Sequence, residues 1–167
     1  MQQLKTKELT TAAIMSAFVF IATFVPKIPI PLGYAHLGDA AIFIVVMIFG
    51  RKIGIISASV GSALADLISG FPIWIVPTIF IKWIMAEIFA RVAQFNDKKS
   101  IYSWKMLVAM VIACLFMTIG YTLSGAVLYD GLAVASTMIP GLLLKSLVNI
   151  IATIVIGSAI NHSFIRH

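Results

Sequence analysis

Long apolar runs, separated by short clusters of glycine, proline and charge, make up almost the whole chain. Six stretches stand out, at about 9–25, 38–50, 53–69, 73–92, 106–128 and 132–160. A bilayer's hydrocarbon core is about 30 Å thick, so a crossing helix needs roughly 20 apolar residues. The pattern therefore predicts an all-α integral membrane protein with six transmembrane helices. It reads as a single membrane-embedded domain over 1–167, with no room for a soluble one. The second stretch is short and crosses only by tilting, by thinning the bilayer or in the shelter of its neighbours. The first reads as a retained helix rather than a signal peptide: after it comes Pro26-Lys27-Ile28-Pro29-Ile30-Pro31, not a small-residue cleavage pattern.

Turn residues mark the boundaries. Pro26, Pro29, Pro31 and Gly33 break the chain after the first stretch, and Gly50-Arg51-Lys52 forms a tight basic turn. Ser69-Gly70-Phe71-Pro72, the polar loop Asn96-Asp97-Lys98-Lys99-Ser100, and Tyr129-Asp130-Gly131 separate the later stretches.

Composition narrows the class. The chain is 61% hydrophobic and 11% charged, where a soluble domain averages about 25% charged. That excludes an ordinary soluble domain, a disordered chain and a nucleic-acid-binding module. The net charge of +6 and the pI of 9.7 are explained by topology. Lys and Arg favour cytoplasmic loops. With six crossings one side collects Lys5, Lys7, Arg51, Lys52, Arg91, Lys98, Lys99, Lys105 and Arg166, and the other only Lys27. Both termini are therefore expected in the cytoplasm.

Ionisable groups inside a span are costly when they face lipid. Asp39, Asp66, Lys82, Glu87 and Lys145 are such groups, with His36 and Asn149 as polar neighbours. Asp66 and Lys82 admit two readings, an ion pair joining the third and fourth helices or contact with a ligand. Lys145 and Asn149 share a helix face at i,i+4 and point to ligand contact. Glu87 reads as structural or partner-facing, and Asp39 as a helix cap. His36 reads as a loop residue that also suits pocket closure. Tyr34, Phe71, Trp74, Tyr121 and Tyr129 lie towards the same end, where interfacial anchoring and the walls of a heteroaromatic pocket are both served by such rings.

Small residues recur at four-residue spacing in Ala13-x-x-x-Ala17, Gly54-x-x-x-Ala58-x-x-x-Ser62 and Ser57-x-x-x-Gly61-x-x-x-Ala65. Such stripes let helix backbones approach closely. The stripe on the first helix suits either a neighbour in the same chain or a partner protein. The sequence holds no phosphate-cradling G-x-x-x-x-G-K-[ST], no H-E-x-x-H and no G-x-S-x-G. His36, His162 and His167 lack metal-ligand spacing, and Cys114 stands alone. The chain reads as no enzyme and as without a metal. Uphill transport would draw on an ion gradient or on another subunit.

These features together resemble the substrate-binding S component of energy-coupling factor (ECF) transporters, the vitamin uptake systems of prokaryotes. The resemblance rests on Ala13-x-x-x-Ala17 and on the Pro-rich loop running into His36-Leu37-Gly38-Asp39-Ala40-Ala41. It continues through Phe49-Gly50-Arg51-Lys52-Ile53-Gly54 and Gly61-Ser62-Ala63-Leu64-Ala65-Asp66-Leu67-Ile68-Ser69-Gly70, to Pro77 with Lys82 and Pro140 with Lys145. It implies a multi-pass protein of a prokaryotic cell membrane that captures a water-soluble vitamin outside and reorients in the bilayer. A loop of roughly 27–39 would close its pocket. The partners implied are a transmembrane T component and two cytoplasmic ATPases, so that ATP is used by the partners and this chain has no cofactor of its own. Substrate-binding residues carried over are His36, Asp66, Trp74, Lys82, Tyr121, Lys145 and Asn149, with Ala13 and Ala17 docking on the T component. Asp66 and the rings suit a hydroxymethylpyrimidine or pyridoxine-type ligand. Lys82 and Lys145 suit a carboxylate such as pantothenate, the second choice. The rivals are a stand-alone secondary transporter or channel subunit using Asp66, Lys82 and Glu87 as an ion path, a small intramembrane enzyme, and a structural subunit that binds nothing.

Overall fold

A computed structural model describes residues 5–30, 33–93, 104–129 and 131–164. Pro31, the polar loop at 96–100 with Lys98 and Lys99, Asp130, Arg166 and His167 lie outside the described residues. Helix α1 (Thr6–Phe24) is followed by strands β1 (Ile28–Ile30) and β2 (Gly33–Ala35), then helix α2 (Gly38–Ile68). A 3-10 turn (Pro72–Trp74) leads into α3 (Ile75–Ala93), followed by α4 (Trp104–Leu128), the short α5 (Leu132–Ser136) and α6 (Ile139–Phe164).

Gly50 divides α2. Its backbone sits at φ 81°, ψ 175°, a region that glycine enters without the steric cost of a Cβ. In a straight helix Val46 and Gly54 would lie about 12 Å apart. Here a Cβ built on Gly54 would come within 3.0 Å of the Val46 Cα, so the chain folds back on itself. The two arms, 38–49 and 51–68, are the second and third apolar stretches of the sequence. At 1.5 Å per residue they rise about 18 and 27 Å. The shorter arm therefore stops roughly 9 Å below the end of the longer one.

Two features depart from the sequence reading. The Pro-rich segment after α1 is not a plain loop but an antiparallel hairpin, pairing Ile28 with Ala35 and Pro29 with Tyr34. Pro29 fits because a two-stranded ribbon is all edge. The sixth stretch is not one helix. It turns at Thr137 and Met138 between α5 and α6, with Pro140 in the first turn of α6, where its missing N–H costs nothing. Among the described residues five helical segments are long and apolar enough to cross a membrane.

Helix α1 packs on the long arm of α2 through Ala12, Ser16 and Val19 and on the start of the short arm through Thr23 beside Gly38, all four buried. A Cβ on Gly61 would stand 2.5 Å from the Ser16 carbonyl oxygen, and the Ser57 hydroxyl donates to the Ala12 carbonyl at 3.4 Å. The small stripe Ser57-x-x-x-Gly61 is thus the seat of α1. The inner core joins Phe43 to Phe89, ring centroids 4.5 Å apart, with Met85, Met110 and Met117 around them. Outward faces carry Ile14, Phe18, Val76, Phe80, Trp83, Ile151 and Val155, the inversion expected when the solvent is lipid.

The bundle has two unlike ends. At one, Glu8 of α1 meets Lys52 at 3.1 Å. Beside it Arg51 takes Glu87 of α3 in a two-pronged contact at 2.6 and 2.5 Å, and Arg91 joins the same carboxylate. The other end carries the β-hairpin and the turns at Gly70 and Gly131.

Candidate functional site

The level difference between the arms of α2 opens a narrow, half-open cleft of about 50 Å³ at the hairpin end, smaller than the 300–1,000 Å³ of typical small-molecule sites, so a ligand must part its walls to enter. Tyr34 and His36 come from β2 and the segment after it, and Asp66 from the last turns of the long arm. Phe71 and Trp74 come from the 3-10 turn and its approach, Thr78 from α3, Tyr121 from α4, and Met138, Leu142 and Lys145 from the start of α6. Phe71 packs on Tyr34, with centroids 5.7 Å apart. Trp74 lies 5.6 Å from Tyr121 and donates its indole N–H to the Tyr129 hydroxyl at 3.1 Å.

The polar groups form two sets. In the first, Asp66 accepts from the Tyr34 hydroxyl at 2.9 Å and from the Thr78 hydroxyl at 2.5 Å, and Thr78 reaches the Tyr121 hydroxyl at 3.1 Å. Burial and the neighbouring Asp66 charge push the Tyr34 phenol above its usual range, so it stays protonated and donating. In the second set, Asp39 is fully enclosed between two lysines. Lys82 donates to its Oδ1, and the Lys145 ammonium lies 3.3 Å from its Oδ2. Both lysines are buried to within 3% exposure, and both lie about 5.5 Å from the centre of the Tyr121 ring. Tyr121 therefore partitions the site, its hydroxyl in the acidic set and its ring beside the cations.

Asn149, one turn past Lys145, anchors the floor. Its carbonyl oxygen accepts from the Ala40 N–H at 2.8 Å, and its amide nitrogen donates to the His36 carbonyl at 2.7 Å and the Lys145 carbonyl at 2.8 Å. His36 Nδ1 accepts the Gly38 N–H at 2.9 Å. Burial, and then the Lys145 charge, hold the His36 imidazole well below its usual pKa, so it is neutral.

Of the residues singled out from sequence, His36, Asp66, Trp74, Tyr121 and Lys145 line the cleft. Lys82 and Asn149 sit beneath it. Two expectations are corrected. Lys82 pairs with Asp39 rather than Asp66, because Asp66 already finds two hydroxyl donors. Asp39 does not cap α2: its carboxylate is taken by the two lysines, and the first-turn N–H groups of Gly38 and Ala40 are met by His36 Nδ1 and the Asn149 side-chain oxygen instead. Glu87 lies at the far end with Arg51 and Arg91, apart from Asp66 and Lys82. Ala13 and Ala17 are exposed on the side of α1 turned away from α2. Thr78 was not anticipated, although it precedes Lys82 by one helical turn on the same face.

Fold and cleft together define a membrane-embedded small-molecule receptor. The profile of the family described as ECF-type riboflavin transporter, S component, matches residues 3–165, and the chain belongs to that family. It is therefore the substrate-binding membrane subunit of an ECF transporter and not an enzyme. A curated relative from Pyrococcus woesei, described as an uncharacterized protein in gap 3′ region, is 33% identical over 147 residues, covering 86% of this chain and 92% of that protein. A solved structure described as the S component of a bacterial ECF transporter superimposes with a TM-score of 0.71 at 25% identity, covering 96% of this chain and 99% of that one. The family's description names riboflavin, and nothing in these matches supports the hydroxymethylpyrimidine, pyridoxine or pantothenate branch that the sequence favoured.

Proposed function

We propose that this chain captures a water-soluble vitamin carrying a nitrogen heteroaromatic ring and delivers it to a T component and two ATPases. The observation that carries the reading is the cleft itself. Tyr34, Phe71, Trp74 and Tyr121 surround a space flanked by Asp66 on one side and Lys145 on the other. Flat rings with a few placed polar groups are what such a ligand needs. Riboflavin is the first candidate because the family's description names it.

The topology follows the same reading. The fold-back at Gly50 makes six crossings of five long helices, the arm 38–49 being too short to cross without its neighbours. The end bearing Lys5, Arg51, Lys52, Arg91 and Lys105 faces the cytoplasm with both termini, and the cleft opens outside. ATP is consumed by the partners, and the chain needs no cofactor. The exposed Ala13 and Ala17 on α1 give the T component a face on which helices approach closely.

The test is a thermal-shift panel on detergent-purified protein, together with mass spectrometry of any small molecule released on denaturation. A ligand at about 100 times its Kd adds about 2.7 kcal/mol. Riboflavin, pyridoxine, hydroxymethylpyrimidine and pantothenate form the panel, and a heteroaromatic member should raise the Tm and quench tryptophan fluorescence through Trp74. Stabilisation by none of them, with nothing released, would overturn the reading.

A further inference from the structure

The charges around the cleft sum to zero in a particular arrangement. Lys82 and Lys145 share Asp39 between them, and Asp66 stands alone across the Tyr121 ring. The next nearest cation, Lys27, lies outside the lining: it donates to the Ser69 hydroxyl at 2.5 Å and stacks 3.9 Å over the Phe24 ring. His36 is neutral. The remaining pairs of Glu8 and Glu87 belong to the opposite end of the bundle.

Both sides keep hydrogen-bonding capacity. The Lys145 ammonium carries three donors. Among the described residues it meets Asp39 Oδ2, which has no hydrogen-bond partner in good geometry, and the face of Tyr121. Asp66 takes one hydroxyl on each oxygen, and an ionised carboxylate has about four acceptor sites. A ligand therefore meets acceptors at one end and donors at the other, inside a site with no surplus charge.

We infer that the cleft selects a ligand without net charge, one that offers a donor to Asp66 and an acceptor to Lys145, and that it discriminates against phosphorylated and carboxylate-bearing forms of the same molecules. The inference rests on the vitamin-binding reading and deepens it. A phosphate entering here sheds its water and finds no surplus counter-ion: the one positive charge left over where Lys82 and Lys145 share Asp39 is matched across the Tyr121 ring by Asp66, which repels the newcomer. A buried charge without a partner is strongly disfavoured.

The experiment compares neutral and anionic partners on the same protein at fixed pH and ionic strength. The pairs are riboflavin with riboflavin 5′-phosphate, pyridoxine with pyridoxine 5′-phosphate, and pantothenol with pantothenate. For the pair that binds, the neutral member should bind at least about 30-fold tighter. Asp66→Asn leaves the site with a positive surplus and should shrink that ratio by about 5-fold or more, whereas Lys145→Gln leaves a negative surplus and should widen it. A purely structural role for either residue weakens both members alike and leaves the ratio unmoved. If one variant fails to fold, the other and the wild-type ratio still decide. An anionic member within about 3-fold of its neutral partner, or a ratio unmoved in both variants, overturns this inference alone. Binding by no member of any pair overturns the vitamin reading and this inference with it.

Discussion

The Asp39→Asn substitution tests the enclosed charge cluster most directly. It keeps the shape of the side chain and removes its charge, leaving Lys82 and Lys145 facing each other. Asp39 and Lys145 stand 3.3 Å apart. At an effective dielectric constant of about 20, that attraction alone is about 5 kcal/mol, and Lys82 lies closer still. Desolvation of three buried groups offsets much of this, so the net cost of breaking such a cluster is about 3–5 kcal/mol. The second half of the test is Asp39→Asn with Lys82→Met, which removes one of the two stranded cations and ends its repulsion with Lys145. Replacing a buried pair by apolar groups of similar volume is often neutral. The double variant should therefore regain at least about half the loss, a coupling of about 2 kcal/mol. Unfolding in mixed micelles by SDS titration, followed by circular dichroism, measures all four corners of the cycle. Additivity within about 0.5 kcal/mol, or an Asp39→Asn variant as stable as the parent, would refute the reasoning.

Further outcomes follow from other parts of the molecule. Gly61→Leu should cost about 1–3 kcal/mol by prising α1 from α2, since even a Cβ meets the Ser16 carbonyl; cysteine cross-linking between the two helices would report the separation. Gly50→Ala should cost about 1–3 kcal/mol through backbone strain alone, because nothing lies within 4 Å of that position; the same SDS titration checks it. His36 is neutral when folded but protonates below about pH 6.5 when unfolded. The unfolded state then binds more protons, so stability should be flat above pH 6.5 and fall as pH drops below it. The ring is not wholly enclosed, so it should show only a fraction of the limiting 1.4 kcal/mol per pH unit, about half or less, and His36→Gln should remove this slope in melts between pH 7.5 and 5. Ala13→Trp or Ala17→Trp should abolish ATP-driven uptake and leave ligand binding intact; normal uptake by both would remove the docking assignment.

The helices were legible because lipid-facing segments need length and apolarity, which a sequence displays openly. The fold-back was half visible: Gly50-Arg51-Lys52 marked a turn, although only coordinates show that Val46 and Gly54 touch. The hairpin was hidden, since Pro29 and Pro31 argue against strands and two paired triplets leave no alternation to read. At the site, charge inside apolar helices flagged Asp39, Asp66, Lys82 and Lys145, because burying each without a partner is costly. Which charges pair was not legible. Asp66 is nearer Lys82 in sequence than Asp39 is, but Tyr34 and Thr78 satisfy it. Thr78 went unnoticed because hydroxyls are common in membrane helices, where they bond to their own backbone, as Thr118 and Thr153 do here.

Asn149 grips two strangers in sequence, the carbonyl of His36 and the N–H of Ala40. The root of the β-hairpin, the first turn of α2 and the middle of α6 are thereby riveted into one block. The hairpin can swing only about a pivot on its own side of His36. A tilt of α6 carries the threshold of the cleft along with it, so the doorway and the floor keep their spacing while the rest of the frame shifts.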